Sequence, residues 1–232
     1  MEQAILLFEN VTGKKSKFRL QNINFAVQPG YIYGLMGANG AGKTTLMRYI
    51  LDDTARYTGH IYVDGEDVHT GHAHVMNKIG FVSEDNQFLV DRTCRQNVEI
   101  LGMLYENFDT GLFEDTMKQL QVSPTKTYKK MSRGEKLKFQ LAFAVAHHPC
   151  LYLLDEATAG MDPVFRKEYF DMLQQLIMDE TASVLMTSHI SSEMETKTDY
   201  VGIMEEGKLI RFGESLDVIP ALAKEGSACY EF

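Results

Sequence analysis

Gly37-Ala-Asn-Gly-Ala-Gly-Lys-Thr44 sits between a hydrophobic run, Tyr31 to Met36, and an apolar-periodic segment, Leu46 to Leu51. The octet fits G-x-x-x-x-G-K-[ST], the phosphate-binding P-loop, and strand, glycine loop and helix are the context which that motif needs. Glycines let backbone N–H groups turn inward around phosphates, and the start of the following helix adds partial positive charge. Gly37, Asn39, Gly40, Ala41, Gly42, Lys43, Thr44 and Thr45 are therefore the candidate nucleotide-binding residues. Lys43 can reach the β- and γ-phosphates, and the Thr44 hydroxyl can ligate Mg²⁺.

Composition limits the classes open to the chain. Its 232 residues, 44% hydrophobic, suffice for one large α/β domain with a substantial core. No apolar run approaches the ~18 residues of a membrane span. The N-terminus, MEQAILLFEN, lacks the basic segment and apolar stretch of a signal peptide. Cys94, Cys150 and Cys229 are odd in number and widely spaced, which suits a reducing cytosol rather than a disulfide framework. The formal net charge of −9 argues against nucleic acid as a partner, since such binding depends on phosphate neutralisation.

Outward from the P-loop, Ala4 to Phe8, the partly alternating Phe18 to Val27, Gly59 to Val63 and Ile79 to Ser83 read as strands, with turns at Pro29-Gly30 and Asp64-Gly65. The period then changes. Thr93-Cys-Arg-Gln96 has capping-box form ahead of Val98, Leu101 and Leu104. Asp109 is placed to cap a second helix, ended by Ser123-Pro124, and a third runs from Met131 to His147. Alternation of strand and helix resumes at Leu151. The pattern predicts a nucleotide-binding core formed by residues 1–87 and 148–232, with a helical subdomain inserted at 88–147.

Two further segments carry chemistry. Cys150 to Leu154 is apolar and ends in Asp155-Glu156, a buried strand delivering two acids, the Walker B arrangement. Asp155 is the candidate ligand for Mg²⁺. Glu156 is the candidate catalytic base that orients and deprotonates water, a role that typically supplies ~10²–10⁴-fold. Ser132-Arg-Gly-Glu135 reads first as a capping box, Ser132 capping the helix and Glu135 reaching back. A helix start so capped still offers N–H groups and positive dipole to an anion, and Gly134 permits close approach of a phosphate.

Together these motifs resemble the ATP-binding cassette (ABC) ATPases along nearly the whole chain: P-loop, a loop near Glu84, the signature Ser132 to Glu135, Walker B, a D-loop Ala159-Gly-Met-Asp162, and His189. The resemblance implies an α/β fold: a P-loop NTPase core of mixed sheet and flanking helices, an antiparallel β subdomain, and the helical insert. It implies ATP hydrolysis with Mg²⁺ in a head-to-tail dimer, homodimeric or with a related ATPase, in which Ser132, Gly134 and Glu135 meet the partner's γ-phosphate. Asp162 would shape that interface, and His189 would contact the γ-phosphate as a catalytic residue beside Glu156 and Lys43.

The chain departs from the pattern at several places. Arg133 replaces the first signature glycine. Glu84 stands where the family has a glutamine that ligates Mg²⁺, with Gln87 as the competing candidate. Ala157 replaces a common proline. Phe18 is the candidate for stacking on adenine, with Phe8 as its competitor. His69, His72 and His74, and the basic run Lys126, Lys129, Lys130, Arg133, Lys136 and Lys138, read as solvated surface.

The expected function is the ATPase subunit of an exporter-type ABC transporter. It would work on the inner, cytoplasmic face of the cell membrane through separate integral membrane permease subunits, docked near Glu84 to Leu104. The alternative is a soluble assembly factor or scaffold of the same family. A P-loop kinase or GTPase is disfavoured, since Asn77-Lys78 is followed by Ile-Gly rather than the aspartate of a guanine site.

Overall fold

A computed structural model of the chain describes residues 3–14, 19–83, 88–158, 161–188 and 191–224. Its strands are β1 (Leu6–Gly13), β2 (Ile23–Val27), β3 (Ile32–Met36), β4 (Tyr57–Val63), β5 (Glu66–Asp67), β6 (Ile79–Ser83), β7 (Leu151–Asp155), β8 (Ser183–Thr187), β9 (Tyr200–Glu205) and β10 (Lys208–Glu214). Its helices are α1 (Lys43–Leu51), α2 (His72–Asn77), α3 (Cys94–Leu101), α4 (Thr110–Gln119), α5 (Arg133–Val145), α6 (Pro163–Ile177), α7 (Ser191–Lys197) and α8 (Ser215–Lys224).

Two sheets organise the molecule. An antiparallel sheet has the order β2-β1-β4-β5, and a six-stranded sheet the order β10-β9-β3-β8-β7-β6. In the second, β6, β7, β8, β3 and β9 run parallel, and β10 closes one edge antiparallel to β9. β3, β7 and β8 are buried at every position, as expected of parallel strands covered on both faces. Parallel order brings their carboxyl ends to one side, where ligands of open α/β sheets bind. One row of the ladder joins Ser83, Asp155, Thr187 and Leu35 across four strands.

The expected α/β architecture, with an antiparallel sheet beside a mixed one, is what the structure has. Several boundaries differ. β4 begins at Tyr57 rather than Gly59, because Gly13 and Thr12 of β1 extend the pairing. Gly59 lies inside that strand, opposite a bulge in β1 where Asn10 has φ 53°. A Cβ on Gly59, itself at φ 86°, would sit 2.4 Å from the Glu9 carbonyl oxygen and 2.5 Å from that of Asn10, so the bulge demands glycine there. β2 begins only at Ile23. α4 stops at Gln119, and Gln121 then turns through φ 57° ahead of Ser123. α5 ends at Val145, short of His147.

Between residues 88 and 147 the described elements are α3, α4, α5 and two short 3₁₀ turns, Gly102–Leu104 and Tyr128–Lys130. Local chemistry starts each helix. Thr93 and Gln96 form the expected capping box, and Asp109 accepts from Leu112 N–H at 2.9 Å. α5 packs on α4 and on β6, burying Leu137, Phe139, Leu141 and Phe143 in one aromatic-rich core with Phe88 and Phe113. The buried side chain of Gln140 crosses that contact: it accepts Ser83 N–H at 2.9 Å and donates to the Tyr128 hydroxyl at 3.2 Å.

Candidate nucleotide site at the carboxyl ends of the parallel strands

The P-loop leaves β3 and enters α1 through backbone shapes that favour glycine. Gly40 has φ 82° and Gly42, the N-cap of α1, φ 118°. No side chain caps α1, so its first N–H groups keep their outward direction. Gly37 lies against β9: a Cβ there would sit 2.4 Å from the Met204 carbonyl oxygen. The loop is also held from outside. The turn between β9 and β10 donates Gly207 N–H to the Ala41 carbonyl at 2.9 Å, while Gly207's own carbonyl accepts Gln21 N–H at 2.8 Å.

Lys43 is 6% exposed. Its ammonium donates to the Gly37 carbonyl at 2.6 Å and lies 3.8 Å from Glu156 Oε1. Burial lowers its pKa, and the Glu156 and Asp155 carboxylates oppose that shift only in part. It is a buried cation beside a carboxylate.

Asp155 ends β7 and is buried. Its Oδ1 accepts the Thr187 hydroxyl at 2.7 Å and the Thr44 hydroxyl at 3.4 Å. Glu156 follows in the left-handed region, φ 51°, which costs a non-glycine residue roughly 1–2 kcal/mol. Its N–H donates to Thr187 Oγ1 at 2.9 Å. The left-handed turn separates the two acids: Asp155 stays in the sheet, while the Glu156 side chain is 29% exposed.

These residues fit Mg²⁺. Thr44 and Asp155 bring two hard oxygens together, the ligand chemistry Mg²⁺ takes, usually from one or two protein groups beside waters and phosphate oxygens.

The Ser132–Glu135 segment opens α5. Ser132 Oγ accepts Glu135 N–H at 3.2 Å, and Glu135 Oε2 accepts Ser132 N–H at 2.8 Å. Lys126 donates to both Glu135 oxygens at 2.7 Å, and this contact first, then the Ser132 N–H, lowers the Glu135 pKa. Gly134 is different: nothing lies within 4 Å of where its Cβ would be. Its own chain gives no packing reason for glycine.

A family model described as ABC transporter matches residues 20–159. This chain belongs to the ABC transporter family. It is 34% identical over 199 residues to the bacitracin transport ATP-binding protein BcrA of Bacillus licheniformis, a match covering 84% of this chain and 64% of that protein. It is 31% identical over 225 residues to the Nod factor export ATP-binding protein I of Burkholderia lata, covering 92% of this chain and 72% of that protein. The chain thus spans less than two thirds of BcrA. The ATP-binding subunit of an ABC transporter superposes with TM-score 0.84 at 21% identity, covering 96% of this chain and 95% of that one, a likeness of fold.

The structure of this ABC domain brings Lys43, Thr44, Asp155 and Glu156 together. Asp162 caps α6, accepting Phe165 N–H at 2.9 Å. Phe18, Glu84, Gln87, Ala159, Gly160 and His189 lie outside the described residues. Phe8, the competitor for adenine stacking, is 1% exposed and stacked on Phe25 at 4.8 Å, a core residue. Of the histidines, His74 bonds Glu66 at 2.6 Å and His69 stacks on Tyr57 at 4.4 Å. The basic run disperses: Lys129 pairs with Asp91, and Lys136 and Lys138 lie over the rings of Tyr128 and Phe165. Thr187, Gln140 and Gly207 escaped the sequence reading. Only Thr187 carried a signal, a hydroxyl ending a buried apolar run.

Proposed function

We propose that this ABC domain hydrolyses ATP with Mg²⁺ and powers export through separate integral membrane permease subunits, at the cytoplasmic face of the cell membrane. The observation that carries the reading is the convergence of Lys43, Thr44, Asp155 and Glu156 at the carboxyl ends of β3 and β7. Lys43 binds the β- and γ-phosphates, exchanging its loop carbonyl for phosphate oxygens. Thr44 and Asp155 hold Mg²⁺, which when bound neutralises charge on the phosphate oxygens. Glu156 accepts the proton of the attacking water, with His189 at the γ-phosphate.

The open space over Gly134, on a helix start with a satisfied capping box, supports a phosphate arriving from a second ATPase subunit, head to tail. Residues 88–147 then act as the subdomain that carries the signature. Among the described residues no helix is long and apolar enough to cross a membrane, and the translocation path in this reading belongs to the permease. Leu89, Val90, Ile100, Met103 and Leu104, all within the stretch proposed to dock the permease, are exposed apolar side chains. The similarity to a bacitracin transport protein supports coupling to transport, and that to a Nod factor export protein supports the direction.

Replacing Glu156 by Gln tests the reading. Expected is retained Mg-ATP binding, an ATP-dependent dimer by light scattering, at least ~10²-fold slower turnover, and co-purification of an integral membrane protein in stoichiometric amount from native membranes. Unchanged turnover overturns the role of Glu156. Only soluble partners, with the chain absent from membranes, overturns transport.

A further inference from the structure

Thr187 ends β8 with its side chain wholly buried. Its hydroxyl makes two bonds, to consecutive residues of another strand end: 2.7 Å to Asp155 Oδ1 and 2.9 Å from Glu156 N–H. Their directions follow from proton counting. A backbone N–H can only donate, so the hydroxyl accepts from Glu156. Its single proton is donated to Asp155 Oδ1, the acceptor of the second bond. The contact is built into the sheet, since Thr187 and Asp155 are ladder partners of β8 and β7. Glu156, at φ 51°, leaves the strand directly beyond it.

We infer that Thr187 is a positioning residue for hydrolysis, its one hydroxyl orienting the Asp155 carboxylate and the main chain of Glu156 together. The inference rests on the metal and base roles proposed for those two acids. A threonine methyl alone would fill the same space in the sheet. Only the hydroxyl can hold a carboxylate against Thr44 on one side and fix the left-handed turn on the other. Partners that orient ligating carboxylates typically contribute 10–100-fold in metal affinity or activity. Thr187 also precedes His189 by two residues, so the strand end that aligns the acids is the one that leads to the proposed γ-phosphate contact.

The experiment compares the wild-type chain with Thr187→Val, Thr187→Ser, Thr187→Ala and Glu156→Gln. The readouts are kcat, KM for ATP, the Mg²⁺ concentration giving half-maximal rate, and binding of a fluorescent ATP analogue without Mg²⁺. Expected for Thr187→Val is a kcat lower by about 10–100-fold and a raised Mg²⁺ requirement, with unchanged Mg-free binding. Thr187→Ser should recover most of the loss. A valine variant with wild-type kcat and Mg²⁺ dependence overturns the inference. So does a serine variant as impaired as valine, which would mean that shape alone matters. If valine does not fold, the serine–alanine pair makes the same comparison. Wild-type turnover in Glu156→Gln would mark failure of the underlying roles, separately from any result at Thr187.

Discussion

Lys43 and Glu156 face each other at 3.8 Å, yet the shorter bond of the lysine, 2.6 Å, is to the Gly37 carbonyl of its own loop. Its depressed pKa says that burial outweighs both carboxylates. The charge is therefore a net cost to the fold at neutral pH. Because the folded pKa lies below the unfolded one, the folded state binds fewer protons in the window between them, and stability rises with pH there. Lys43→Met should melt higher than wild type at pH 7.5 in the absence of nucleotide, and that advantage should shrink as pH climbs towards 10.5. The same variant should lose ATP binding. Thermal denaturation across pH checks the first expectation, and nucleotide titration the second. A pH-independent difference would place the cost elsewhere.

Gly134 separates folding from function. It sits in the right-handed first turn of α5 with open space around its Cβ position. Alanine there should stabilise the chain by about 0.5–1 kcal/mol, the usual helix preference. If a partner-bound phosphate uses that space, Gly134→Ala should also cut ATP-dependent dimerisation and turnover at least several-fold. Urea denaturation and light scattering read the two effects independently. Gain of stability with full activity would remove the signature from the proposed mechanism.

Gln140 ties α5 to the last residue of β6, through Ser83 N–H, and to Tyr128. Leucine has similar volume and neither bond. Removing one partner from a buried polar group costs about 1–3 kcal/mol. Gln140→Leu should therefore lower the urea midpoint accordingly. Native-state hydrogen exchange should localise the change to Ser83 at the end of β6. A midpoint within error of wild type would reduce the bridge to packing.

What could be read from the chain was what is local in it. The P-loop is eight consecutive residues, and the caps at Thr93, Asp109 and Ser132 each act on a group three positions away. Such contacts are visible without knowing the fold. Nothing local singles out Gln140, because its partner Ser83 is 57 positions distant. Thr187 needed the strand order β8-β7 before its neighbour Asp155 could be known. Gly59 was misplaced at a strand start, where glycine is commonplace. Its reason is the bulge at Asn10 on the neighbouring strand. Of the three histidines near residue 70 that read as solvated, His69 and His74 are exposed; what the sequence does not reveal is that Tyr57 and Glu66 approach them.

Gly207 takes hold of the antiparallel sheet's chain at Gln21 with its carbonyl and of the P-loop at Ala41 with its N–H. One peptide turn is thus a rivet through two plates. A tilt of the antiparallel layer against the P-loop would strain these two main-chain bonds together with the apolar layer that packs Phe8, Phe25 and Ile61 against Ala41, Leu46 and Met204. The two main-chain bonds join the P-loop, the chain leading into β2 and the β9–β10 edge at one residue, and the Gln21 side chain adds a third tie to the Glu206 carbonyl at 3.1 Å.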